Sequence, residues 1–230
     1  ILVSSLKRVK SISAGADHSI ALLLDNTTWI WGKGSSGQIG DSANDDRQIP
    51  VILKDMKNVT FITGGTSHTT AVTTDGTVQA WGENGFGQLG DGTTSNSNIP
   101  VKTKGINLDA TNGDQPGTTP EPVQAGSLQL RMDVAAGGFH SLGLDLDGNV
   151  WAWGRGDSGQ LGDESGISSD EPVQVNNLTT VSYIAAGGLH SLALKSDGTV
   201  WAWGSNESGQ LGIGSTTLNS ESPVQVAGLS

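Results

Sequence analysis

The sequence predicts an all-β protein, a β-propeller built of four-stranded antiparallel blades. Three observations carry that reading: a 50-residue internal period, four short strand-like runs in each period, and no segment with a sustained 3.6-residue hydrophobic period. Composition agrees. Glycine supplies 34 of 230 residues, about twice the roughly 7% of ordinary chains, and seven tryptophans accompany one tyrosine and three phenylalanines.

The period is read from residues that recur in register. His18, His68, His140 and His190 are spaced by 50, 72 and 50 residues, and Gln38, Gln88, Gln160 and Gln210 repeat those spacings, so one unit holds 22 extra residues. Pro50, Pro100, Pro122, Pro172 and Pro223, each followed by valine, place the extra residues between Pro100 and Pro122. They divide the single propeller segment 1–230 into repeats 1–49, 50–121, 122–171 and 172–222, with 223–230 as the first strand of a fifth. Ile1, Leu2 and Val3 align with Val51, Ile52 and Leu53, so both ends fall at one phase of the repeat, as expected of a slice of a longer array or of terminal strands that complete one another in a ring. The start, ILVSSLKRVK, has neither an initiator methionine nor a signal-peptide layout, which suggests an excised segment.

In the unit 172–222, PVQV is expected as the first strand, YIAAGG as the second, HSLAL as the third and TVWAWG as the fourth. Asp197 and Gly198 suit a two-residue type I′ hairpin turn. Asp75 with Gly76, Asp147 with Gly148, and Asp25 with Asn26 fill the same place, so these aspartates are turn formers and not a catalytic series. Alternation along TVWAWG sends Val200 and Ala202 to one face and Trp201 and Trp203 to the other, and a sheet apolar on both faces must stack on sheets like itself. Val101 and Val123, at the two ends of the insertion, compete for one outer-strand slot; the standard spacing from Pro122 to His140 assigns it to Val123.

The recurring polar and aromatic residues are read as structure. The four histidines, one per blade, are too dispersed to converge on a zinc ion and are expected to hydrogen-bond backbone groups opened at the Gly-Gly bends. Trp31, Trp81, Trp153 and Trp203 are expected to pack between blades, and Gln38, Gln88, Gln160 and Gln210 to bridge loop backbone. No helix follows the doubled glycines, which removes the phosphate-loop reading. Asp45, Asp46, Asp163, Glu164, Asp170 and Glu171 match no calcium-loop pattern and read as a solvated loop face.

AAGGLHSLALKSDGTVWAWGSNESGQLG and its counterpart AAGGFHSLGLDLDGNVWAWGRGDSGQLG resemble the repeat of the regulator of chromosome condensation family, over about 180 of the 230 residues. The chain departs from the pattern at Gln79, which replaces a tryptophan, and at Ile213, which replaces an aspartate. The resemblance implies a ring of about seven blades, of which four repeats are present, with blades shared between neighbouring repeats. It also implies a protein-binding role, since members serve as exchange factors for a small GTPase, as parts of ubiquitin ligases and as bacterial secreted or surface binders. The specialised wedge and basic element of the exchange factors are not found.

The expected function is therefore a non-enzymatic interaction module, a rigid scaffold presenting variable loops to another protein or to copies of itself, with no catalytic, cofactor or metal residues. Two alternatives stand beside it: a carbohydrate-active enzyme using a carboxylate pair, and an architectural protein joined through exposed edge strands. A formal charge of −11 disfavours nucleic acid, no apolar run is long enough for a membrane span, and no cysteine allows a disulfide. Thr, Asn, Asp and Gly-rich loops favour an extracellular or cell-surface bacterial setting. The candidate partner-binding residues are Arg155, Asp157 and Glu164 in the motif loop and Asp109, Asn112, Asp114 and Glu121 in the insertion.

Overall fold

The Pro-Val segments close blades and do not open them. In the structure, a computed structural model describing residues 6–54, 56–108, 132–214 and 217–228, sixteen strands form four antiparallel sheets. Blade 1 is β1 (Val9–Ala14), β2 (His18–Leu23), β3 (Thr28–Gly32) and β4 (Arg47–Ile52). Blade 2 is β5 (Val59–Gly64), β6 (His68–Thr73), β7 (Thr77–Gly82) and β8 (Ser97–Asn107). Blade 3 is β9 (Asp133–Ala136), β10 (His140–Leu144), β11 (Val150–Gly154) and β12 (Ser169–Gln174); blade 4 is β13 (Val181–Ala186), β14 (His190–Lys195), β15 (Val200–Ser205) and β16 (Asn219–Gln225). The valine after each proline pairs with the strand before it, Val51 with Ile30, Val173 with Ala152 and Val224 with Ala202. Residues read as the start of a fifth unit thus complete the fourth blade, and each blade borrows its outermost strand from the next sequence repeat.

That phase corrects the assignment of the insertion. Val101 pairs with Ala80 in β8 and occupies the outer slot of blade 2, which the sequence reading gave to Val123. An outer strand is delivered by the loop before it, so the spacing from Gln88 governs, and the normal spacing from Pro122 to His140 has no bearing on the slot. Register continues past Val101: Ile106 stands five residues beyond its valine, as Met56 and Leu178 do, and all three are buried in the blade joints. Leu108 is fully buried, and both it and Ile106 lie against Gly143, which stands where blades 1, 2 and 4 have alanine. The extra residues therefore enter after Leu108; Val123, Asp109, Asn112, Asp114 and Glu121 lie outside the described residues.

The hairpins between second and third strands differ from the expected type I′. Gly198 N–H bonds Lys195 C=O and Lys195 N–H bonds Thr199 C=O, with positive φ at Gly198 but not at Asp197. This is a three-residue loop, a type I turn closed by a left-handed bulge residue. Asn26, Gly76 and Gly148 take the same place with φ of 62°, 74° and 79°. Asp25, Asp75 and Asp197 each accept the backbone N–H of the threonine two residues on, so they do form turns. In blade 3 the buried Asp145 does this work, accepting from the backbone of Asp147 and Asn149.

The apolar core lies between blades. One cluster joins Ile20, Leu22, Ile30, Ile39, Leu53 and Met56 of blade 1 and its exit to Val59, Ile62, Ala71 and Trp81 of blade 2, and equivalent clusters join blades 2 to 3 and 3 to 4. Trp81, Trp153 and Trp203 are fully buried in them, as the sequence predicts. Each such ring removes roughly 150–250 Å² from water, about 4–6 kcal/mol at about 25 cal/mol per Å². Gly40, Gly90 and Gly162, the last glycines of the first three Gly-Gln-Leu/Ile-Gly motifs, make this fit possible: a Cβ on Gly40 would stand 2.6 Å from Trp81 Nε1.

Candidate functional site: blade joints and the loop face

Beside each apolar cluster runs a polar joint with one repeated pattern. Trp81 Nε1–H donates to the Gln38 carbonyl at 3.0 Å, Trp153 to that of Gln88 at 2.9 Å and Trp203 to that of Gln160 at 3.0 Å. Each carbonyl also accepts the hydroxyl that follows the next blade's histidine: Thr69 to Gln38 at 2.9 Å, Ser141 to Gln88 at 3.0 Å and Ser191 to Gln160 at 2.9 Å. With its proton so used, the hydroxyl accepts from histidine Nε2–H of the blade before it: His18 to Thr69 at 3.0 Å, His68 to Ser141 at 3.0 Å and His140 to Ser191 at 2.9 Å. The chain of bonds fixes these imidazoles as neutral Nε2–H tautomers, and burial pushes His18 down to about 4 and His68 and His140 to about 3.

The histidine ring thus fastens the next blade and does not serve the Gly-Gly bend, correcting the expectation from sequence. The bend is closed instead by the histidine's own backbone carbonyl, which accepts the N–H of Gly15, Gly65, Gly137 or Gly187. The glutamine side chains stay local, Gln38, Gln88, Gln160 and Gln210 each accepting the backbone N–H two residues earlier. Among the described residues no three His, Cys, Asp or Glu side chains converge as metal ligands would.

The bends before the four histidines, Gly15-Ala16 in blade 1 and the Gly-Gly pairs 64–65, 137–138 and 187–188 in blades 2 to 4, line one central groove of about 290 Å³. Around it, each hairpin register sets the residue before the histidine against the residue after Trp-Gly, with Lys33 N–H on Asp17 C=O, Glu83 on Ser67, Arg155 on Phe139 and Ser205 on Leu189, all at 2.8 Å. These positions vary freely because the joint does not use them. In blade 1 they form an exposed ion pair, Lys33 with Asp17 at 3.5 Å. In blade 3 they form something else: Phe139 and Arg155 meet Phe86 from the loop of blade 2.

The two rings stand edge to face with centroids 5.5 Å apart, and the Arg155 guanidinium lies 5.1 Å from Phe86 and 5.8 Å from Phe139. Asp157 holds that guanidinium with two bonds of 2.7 and 2.9 Å. This pairing raises the Arg155 pKa and lowers that of Asp157, so both stay charged. Arg155 and Asp157, predicted from sequence, are therefore brought together. Glu164 is not part of the group; its backbone N–H bonds Glu221 C=O and its carboxylate accepts from Asn177 Nδ2. Phe86 and Phe139 were missed, although Phe86 stands where the other repeats have Ser36, Ser158 and Ser208. Comparing motif loops at off-motif positions would have found them.

A model of the RCC1-like domain family matches residues 1–230, the whole chain. The chain belongs to the RCC1-like domain family. Members of the family are generally non-catalytic binding or exchange-factor proteins built on this propeller. The RCC1-like chain is 29% identical over 156 residues to the ultraviolet-B receptor UVR8 of Arabidopsis thaliana, covering 68% of this chain and 32% of UVR8. It is 48% identical over 44 residues to the mitochondrial RCC1 domain-containing protein RUG3 of the same plant, 19% of this chain and 10% of RUG3. Human WBSCR16 is similar in structure, with TM-score 0.77, 26% identity, and 95% of this chain matched to 53% of that one. Yeast RCC1 (Prp20), solved bound to Kap60, shares the fold at TM-score 0.74 and 24% identity, over 95% of this chain and 48% of that one. The RCC1-like chain thus spans at most about half the length of these relatives, which come from a plant, a mammal and a yeast.

Several carboxylates of the RCC1-like loops are engaged locally. Asp46 accepts the Gly34 N–H, Asp163 accepts the Ser165 N–H and hydroxyl, and Glu171 lies 3.7 Å from Lys104 Nζ. A hollow of about 770 Å³ beside the outer strand of blade 1 is lined by Trp29, Arg47, Pro50 and Lys54, and the one carboxylate among its described lining residues, Asp41, is ion-paired to Arg47.

Proposed function

We propose that this RCC1-like chain is a non-catalytic protein-binding scaffold whose partner docks on the loop face over Phe86, Phe139, Arg155 and Asp157. The supporting observation is the composition of that cluster: two aromatic rings and a guanidinium contributed by neighbouring blades, at positions that the blade joints leave unused. Arginine and aromatic residues dominate binding energy at protein interfaces when a neighbour orients them. Asp157 holds Arg155 in place before any partner arrives, which lowers the ordering cost of binding.

The test replaces Phe86 and Arg155 with the serines found at matching positions, as F86S/R155S. Proteins of the source organism are captured on the immobilised wild-type chain and on the variant, with circular dichroism and urea midpoints confirming an unchanged fold. The reading expects at least one captured protein whose affinity drops about tenfold or more in the variant. An identical captured set with equal affinities overturns it.

A further inference from the structure

Blade 3 departs from the repeat at the end opposite the loop face, in the hairpin that joins β10 to β11. The other blades carry Thr27, Thr77 and Thr199 there. In blades 1 and 4 that hydroxyl donates to Asp25 or Asp197 and accepts the N–H of the nearby indole, Trp29 at 3.3 Å and Trp201 at 3.0 Å. Blade 3 has Asn149 instead, and Asp145 where the others have Leu23, Thr73 and Lys195. Asp145 is 7% exposed and accepts four N–H groups. One oxygen takes the backbone of Asp147 and Asn149 at 3.0 and 2.8 Å; the other takes Asn149 Nδ2 at 3.1 Å and Trp151 Nε1 at 3.2 Å. That fills a carboxylate's acceptor capacity, so Asp145 is left to position its neighbours. Asn149 and Trp151, the two side chains it holds, border a hollow of about 300 Å³. Gln174, which pairs with Trp151 across β12, and Gly105 and Ile106 at the exit of blade 2 complete its wall. Gly105 is left-handed at φ 65°, and a Cβ there would meet nothing within 4 Å among the described residues, so this side stands open. The volume falls at the small end of ligand clefts, about 300–1,000 Å³.

We infer that this hollow binds a neutral pyranose sugar, stacked on Trp151 and hydrogen-bonded by Asn149 and Gln174. The indole packs in part on the apolar cluster that joins blades 2 and 3, and the ring is half-buried where it lines the hollow. A pyranose presents a patch of C–H groups that lies on an aromatic face, surrounded by hydroxyls that both donate and accept. Carboxamides answer such hydroxyls because they also do both. Asn149 Oδ1 and both ends of the Gln174 amide have no partner among the described residues, so these groups are open to a ligand. The described lining residues include no lysine or arginine, and their one carboxylate is Asp145, already saturated, so nothing there selects a charged sugar. A carboxylate with every acceptor position filled is neither acid nor base, so the site binds without cleaving. Asp145 fixes Asn149 and Trp151 before a ligand arrives, which lowers the ordering cost. Blade 2 has no such site, since Gln79 stands in place of the indole, and in blades 1 and 4 the threonine hydroxyl is engaged on both sides. The site is separate from the loop face and does not depend on the partner proposed there.

The experiment is saturation-transfer NMR with calorimetric titration, using the methyl glycosides of glucose, galactose, mannose and N-acetylglucosamine, with methyl glucuronide as the charged comparison. Each variant exchanges one lining group for the residue that another blade carries: Asn149→Thr, as Thr77; Trp151→Gln, as Gln79; and Gln174→Ile, as Ile52. Circular dichroism and urea midpoints check the fold, and should Trp151→Gln fail that check the other two variants carry the test. At least one neutral glycoside is expected to bind the wild type with a dissociation constant of about 1 mM, and each folded variant to weaken it about tenfold or more. Methyl glucuronide is expected to bind more weakly than that glycoside. No neutral glycoside bound at up to about 20 mM, equal affinity in all folded variants, or tighter binding of the glucuronide each overturns the inference. F86S/R155S is expected to bind the glycoside as the wild type does, so the sugar site and the partner site fail separately.

Discussion

The imidazole of His68 and the hydroxyl of Ser141, 73 residues apart in sequence, lie 3.0 Å apart across the joint of blades 2 and 3. That hydroxyl also donates to the Gln88 carbonyl at 3.0 Å, so a single oxygen serves both sides of a fully buried contact. Removing it leaves the His68 Nε2–H without a partner and the Gln88 carbonyl with the Trp153 indole alone, and an unsatisfied buried group costs about 1–3 kcal/mol. Ser141→Ala is expected to lower stability by about 1–3 kcal/mol in urea unfolding followed by tryptophan fluorescence. Ser141→Thr is expected to recover most of the loss, because blade 2 already holds Thr69 at this position with both bonds intact. A threonine variant no better than alanine would mean that volume, not the hydroxyl, sets the cost.

A second prediction uses two glycines at equivalent places. Gly138 donates its N–H towards the carbonyls of Gly187 and Gly188 on blade 4, and a Cβ there would stand 2.4 Å from the Gly188 oxygen. Among the described residues Gly188 has no neighbour within 4 Å of its own Cβ position. Both are outside the left-handed region, so only space distinguishes them. Gly138→Ala is expected to destabilise by about 1–3 kcal/mol through overpacking at the axis, whereas Gly188→Ala is expected to stay within about 0.5 kcal/mol. Equal urea midpoints for the two variants would contradict the close approach of the bends.

The contrast between those glycines shows where the sequence speaks and where it is silent. The period, the four strands per blade and the burial of Trp81, Trp153 and Trp203 are legible because in-register repetition and alternation report packing directly. The phase is not legible: a cyclic pattern has the same period wherever it is cut, and only hydrogen bonding between Val51 and Ile30 shows that Pro-Val ends a blade. Ser141 looks like a surface serine in sequence because its partners, His68 and Gln88, belong to another repeat. Aspartate followed by glycine suits both a two-residue and a three-residue hairpin, and only the sign of φ at the first residue separates them. Of the candidate site, Arg155 and Asp157 were found as variable residues inside a motif. Phe86 and Phe139 were not, since their significance arises from a contact between blades.

The buried histidines make stability acid-sensitive, with a sign that follows from their neutrality. In the unfolded chain each has a pKa near 6.5, whereas in the folded chain burial lowers His18 to about 4 and His68 and His140 to about 3; His190 is also lowered, by partial burial. Below pH 6.5 the unfolded chain therefore binds more protons than the folded one, so stability is complete above that pH and is lost as pH falls towards the folded values. At pH 5 each of the three fully buried rings costs about 2 kcal/mol, at about 1.4 kcal/mol per pH unit below its unfolded pKa. Their sum, about 6 kcal/mol, is comparable with the whole stability of a typical domain, about 5–15 kcal/mol. Asp25, Asp75 and Asp197 are held below the usual carboxylate range by their threonine bonds, so their loss falls at lower pH. Urea midpoints of the wild-type chain are thus expected to be flat between pH 8 and 7 and to fall steeply between pH 6 and 5. His140→Asn should start lower at pH 8 but fall less steeply, by about one proton's share of the slope. An unchanged wild-type midpoint from pH 8 to pH 5 would show that the rings find their second proton without leaving the joint, and the neutral tautomer would have to be abandoned.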